Sequence, residues 1–96
     1  MNHLGEHIRK LRDQRKILQR QLAAVLETDT AFISKFEKGE KRLTRNQVLK
    51  LAAFFEIPEK ALLPLWLSDR VKDTLKDDPY SIEALKITEQ RIKEKK

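Results

Sequence analysis

The chain contains no cysteine, and its only glycines are Gly5 and Gly39. Without cysteine there is no disulfide scaffold and no thiolate metal site, which fits a reducing compartment. Two isolated glycines cannot form a glycine-rich phosphate loop. No apolar run approaches the roughly 20 residues needed to span a bilayer, and the first residues carry no signal-peptide core, so a soluble, cytoplasmic protein without a membrane partner is expected. The two histidines, His3 and His7, lie together near the start, and with no thiol available they assemble no catalytic constellation. They stand at i, i+4 with Glu6 between them, a metal-binding spacing that lacks a third ligand and reads as a solvated face. Neither an enzyme nor a cofactor or metal site is expected. No Gly/Ser linker or internal repeat divides the 96 residues, so they suit one domain with a modest core and an appendage.

Charge is plentiful and unevenly placed. The net charge is +6, and residues 1–43 hold ten Lys/Arg against six Asp/Glu, while residues 64–96 hold eight against seven. The surplus sits in the first half. A basic surface suits nucleic acid or an anionic membrane. For single-stranded RNA, however, the chain lacks an aromatic platform on a sheet.

The most informative stretch is 18–39, LQRQLAAVLETDTAFISKFEKG. Two helical patterns, 19–26 and 29–38, are separated by so short a join that only a helix-turn-helix accommodates both. Leu22, Ala23 and Leu26 share one face of the first; Ile33, Phe36 and Glu37 share one face of the second. Both faces point at a common core. Opposite Ile33, the second helix carries Ala31, Lys35 and Lys38, flanked by Phe32 and Ser34. Small side chains at the helix start permit close approach, and the cations follow one turn later. This pattern suits a helix that reads the major groove of double-stranded DNA. Asp29 is the expected N-cap, accepting from the backbone of Ala31 or Phe32. Thr30, at the tip, can reach a base or phosphate, and Phe32 can touch a thymine methyl or pack on its own core.

Residues 4–63 resemble the helix-turn-helix domain of the phage-repressor family, the Cro/C1 (XRE) type of transcriptional regulator. Ile8, Leu11 and Arg12 match, followed by Gln19, Leu22 and Ala23, then Ile33, Ser34, Glu37 and Gly39, and finally Leu49, Leu51, Ala52 and Ile57. The resemblance implies an all-α fold with a five-helix domain over 1–64. It also implies a salt bridge between Arg12 and Glu37, which helical phase supports because Glu37 lies roughly 40° from Ile33 and an unpaired inward carboxylate would be costly. Gln19 matches a position that contacts phosphate and braces the reading helix, and Lys41 and Arg42 match positions beside the DNA backbone. The chain departs from the family at Lys16 and Glu27, where glycine is usual, and at Leu18, where Ser or Thr usually caps.

Gly39 suits a left-handed helix stop. Thr44 and Gln47 form a capping box for the fourth helix, whose exposed Arg45 adds a phosphate contact, and Val48, Leu49, Leu51, Ala52 and Phe55 form its buried side. Pro58 starts a short fifth helix to about residue 63. Pro64 then marks a break before a two-helix extension over 65–96, with helices expected over 65–76 and 82–94 and Ser81 capping the second. A two-helix extension cannot bury both apolar faces alone, so it either folds back on the domain or pairs with the same extension of a second subunit. Pairing is favoured, and Leu65, Trp66, Val71, Leu75, Ile82, Leu85 and Ile92 are the expected interface of a homodimer, with Trp66 as its anchor. The extension resembles those of controllers encoded beside DNA modification methyltransferases. The alternative from another class is an antitoxin-like protein, whose C-terminal helices mask a toxin partner while its helix-turn-helix represses their shared promoter.

Overall fold

The computed structural model describes residues 3–95. Their regular structure is helical throughout: α1 (Leu4–Gln14), α2 (Gln19–Val25), α3 (Thr30–Glu37), α4 (Arg45–Phe55), a 3-10 turn (Glu59–Ala61), α5 (Leu63–Leu75) and α6 (Ser81–Glu94). The all-α class read from the sequence is the class observed.

Local chemistry sets the helix boundaries. His3 caps α1, its Nδ1 accepting the Glu6 N–H at 3.2 Å. Asp29 Oδ1 accepts the Phe32 N–H at 2.8 Å and caps α3. At α4 both halves of the capping box form, Gln47 N to Thr44 Oγ1 at 3.2 Å and Thr44 N to Gln47 Oε1 at 2.9 Å. Leu18 has no side-chain acceptor, so only the reverse half exists at α2: Gln21 Oε1 accepts the Leu18 N–H at 2.7 Å. Leu18 itself remains 49% exposed.

The helix stops explain how a chain with two glycines makes so many tight turns. After α1 the N–H of Ile17 reaches Arg12 O at 2.9 Å, after α2 the N–H of Thr28 reaches Ala23 O at 2.9 Å, and after α3 the N–H of Glu40 reaches Lys35 O at 2.8 Å. Each is a Schellman closure, which needs a left-handed residue just before the donor. Gly39 supplies it at φ +87°, but Lys16 and Glu27 adopt it at φ 55° against their own Cβ atoms. Such a residue costs about 1–2 kcal/mol.

Leu4, Ile8, Leu22, Ala23, Leu26, Ile33, Phe36, Val48, Leu51 and Phe55 form one buried core from the four first helices. Gly5 lets α1 approach α3 backbone to backbone, since a Cβ there would collide with Phe36 O and lie 3.0 Å from Glu37 Cα.

Beyond α4 the chain departs from expectation. The short fifth helix is a 3-10 turn, and Pro64 interrupts nothing because it lies in the first turn of α5, where its missing N–H is harmless. Leu62, Leu63 and Trp66 then continue the core, with Leu65 packed at its edge. The Trp66 indole N–H donates to Leu43 O at 2.7 Å, and the buried Asp69 accepts the Leu4 N–H at 2.9 Å. Trp66, expected to anchor an interface between chains, therefore belongs to the chain's own core, and Leu65, expected beside it, is half-buried against that core. Ser81 does not cap α6. It is the first helical residue, and its hydroxyl donates to Asp78 O at 2.6 Å.

α6 buries none of its residues: Ile82, Leu85, Ile87 and Ile92 are 63, 39, 61 and 58% exposed. Its projection raises the radius of gyration to 15.1 Å, against about 12.5 Å for a compact chain of this length.

Candidate nucleic-acid interface

α3 presents two chemically distinct sides. Ile33, Phe36 and Glu37 are buried, while Thr30, Ala31, Lys35 and Lys38 are exposed and Phe32 and Ser34 are half-buried at the margin. Phe32 packs against the core, which takes up part of its ring.

The inward Glu37 holds three helices together. Arg12 of α1 donates from Nε to Oε2 at 2.8 Å and from Nη2 to Oε1 at 3.1 Å, while Gln19 of α2 donates from Nε2 to Oε1 at 3.0 Å. A further Arg12 nitrogen reaches Ile17 O at 3.0 Å, so one guanidinium fixes both the α1–α2 turn and the end of α3. The hydrogen bond from Arg12 to Glu37 raises the arginine pKa further above its ordinary value. Gln19 is thus positioned by its bond to Glu37 beside Ser34 and Lys38, with which it lines an open cleft of about 230 Å³.

Lys35, Lys38, Lys41 and Arg45 make no salt bridge among the described residues. All four are exposed, on the free face of α3, in the turn after it and in the first turn of α4. Positive charge that the fold does not neutralise remains available to an external anion. Arg45 also lies over the Trp66 ring, 5.9 Å from its centroid.

Arg42 behaves differently from its neighbours. Its Nε and Nη2 donate to Asp73 of α5, each at 2.8 Å. This hydrogen bond lowers the Asp73 carboxyl below the usual carboxylate range. Because the folded pKa is depressed, the pair is complete above the ordinary value and is lost only as pH falls through the lowered one; it persists at neutral pH. Sequence pattern gave no sign of Asp73, which lies 31 residues from Arg42.

No group of three or more His, Cys, Asp or Glu among the described residues is placed to hold a metal ion, and His3 serves instead as a helix cap. No described helix is long and apolar enough to cross a membrane. Neither a curated protein nor a solved structure matches the chain. The family described as a helix-turn-helix domain matches residues 5–65, from the first turn of α1 into α5, and so takes in α2, α3 and every exposed cation named above. The chain belongs to this helix-turn-helix domain family, a Cro/C1-like family of DNA-binding regulatory domains.

Proposed function

We propose that the protein is a sequence-specific transcriptional regulator that binds a palindromic operator as a homodimer, with α3 in the major groove. The observation that carries this reading is the free face of α3 and its surroundings: Ala31 and Thr30 at the tip, then Lys35, Lys38, Lys41 and Arg45, which are exposed and form no salt bridge among the described residues. Ala31, Phe32, Ser34 and Lys35 are assigned to base edges and sugars, and Lys38, Lys41, Arg42 and Arg45 to phosphates. Gln19 braces the helix and approaches the backbone at its edge.

The dimer is supported by α6. A helix of 14 residues that buries no side chain is marginal by itself in water. Val71, Ile82, Leu85 and Ile92 are exposed and Leu75 is half-buried, so a second copy pairing over these residues would supply the missing burial. Two α3 helices related by a two-fold axis would meet successive major grooves roughly 34 Å apart.

Selection from random DNA duplexes at near-physiological salt, with light scattering of the complex, tests both parts. A palindrome bound by two chains is the expected result. A folded protein that enriches no sequence would reject specific reading. If the C-terminal helices instead mask a toxin, pull-down from its host returns a heteromeric complex and the C-terminal region of the purified chain is unstable or misassembled alone.

A further inference from the structure

Arg42 and Asp73 make a geometry that a phosphate can reproduce. The carboxylate takes both forward-facing donors of the guanidinium, Nε and Nη2, at 2.8 Å each, while Nη1 points back to Gly39 O at 3.4 Å. Bidentate carboxylate and bidentate phosphate present their oxygens to arginine in the same way, so one occupant excludes the other. The side chains are 37 and 54% exposed, which leaves the pair open to solvent and easy to exchange.

The pair borders an open cleft of about 450 Å³ lined by Arg42, Leu43, Thr44, Trp66, Arg70 and Asp73. Arg70 of α5 stacks on the Trp66 ring at 4.9 Å and makes no salt bridge among the described residues. Arg45 covers the same indole. Arg45 and Arg70 thus flank the indole and Arg42 lines the same cleft, in which Asp73 is the single lining carboxylate. Asp69, buried and bonded to the Leu4 N–H, also acts on Arg42 from behind. A backbone phosphate brought here by α3 would repel Asp73 and attract all three guanidinium groups.

We propose that Asp73 is a built-in competitor of DNA: it occupies Arg42 in the free protein and yields it to a backbone phosphate in the complex, where Arg70 adds a further cation from α5. This rests on the reading of the chain as a DNA-binding protein. The consequence is a brake on sequence-independent affinity. Non-specific binding depends on phosphate contacts alone and must break the pair without recompense from bases, whereas operator binding also gains base contacts.

A double-mutant cycle on a short mixed-sequence DNA duplex at low salt tests this without knowledge of the operator. Asp73→Asn should tighten binding about threefold to tenfold, as expected when an arginine is freed for phosphate. In an Arg42→Ala background the same substitution should give little or no gain. Arg42→Ala and Arg70→Ala should each lower the slope of log affinity against log salt by about one. An Asp73→Asn gain that persists without Arg42 would show a general charge effect and overturn the exchange, as would no gain at all. Either result leaves the DNA-binding reading intact. If the folded wild-type chain and Asp73→Asn both fail to bind the duplex at low salt, that reading fails and the exchange fails with it.

Discussion

Arg12 holds Glu37 through two hydrogen bonds, of 2.8 and 3.1 Å, so that the last residue of α3 is fixed to α1. The carboxylate side chain is only 4% exposed and the guanidinium 13%. Removing one partner strands a charge in the interior. Arg12→Ala should cost about 3 kcal/mol in denaturant unfolding, and the Arg12→Ala, Glu37→Ala double variant should lose less than the two single losses combined. Additive losses would show that the residues do not act as a pair.

Gly5 is needed for space rather than for backbone freedom. Added Cβ density would strike Phe36 O, part of the helix backbone and unable to rotate away. Gly5→Ala should therefore destabilise the protein by about 1–3 kcal/mol despite its better helix propensity. DNA affinity should fall with it, since α3 must shift to make room. A stability gain in thermal melts would contradict this close packing of α1 on α3.

Trp66 is the chain's only tryptophan, and it lies in the core of a single chain at 6% exposure. Its emission should be blue-shifted and should stay so on dilution, whatever α6 does. Trp66→Ala should cost about 3–5 kcal/mol, the range for truncating a large buried aromatic, in unfolding measured at any protein concentration. A red shift on dilution would return Trp66 to an interface between chains.

Lys16 sits at φ 55°, where glycine would be unstrained, and its side chain is exposed. Lys16→Gly should stabilise the protein by up to about 1 kcal/mol, the left-handed strain less the extra chain entropy of glycine. The change in denaturation midpoint checks it.

Periodicity carries far in this protein because short helices with a single shared core leave few ways to orient each face. The inward phase of Ile33, Phe36 and Glu37, the caps at Asp29 and Thr44 and the exposed Lys35 and Lys38 all follow from spacing. Pro64 misled because a proline ends a helix or begins one, and the pattern alone does not say which. The better signal was the stripe of Leu62, Leu63, Trp66 and Asp69, which runs across the proline at helical spacing. The Arg42–Asp73 pair was hidden for a different reason. It joins two exposed residues far apart in sequence, and no periodicity records the meeting of two polar surfaces. Gly5 was similarly silent, since an absent side chain leaves no trace in hydrophobic pattern.

α3 and the residues around it are the surface expected to meet DNA. Backbone amide resonances of the labelled protein, followed while a selected duplex is added, test it most directly. The largest changes are expected at Thr30, Ala31, Phe32, Ser34 and Lys35, with further changes at Gln19, Lys41 and Arg45. Saturable binding that leaves the α3 amides unmoved while other faces shift would contradict it.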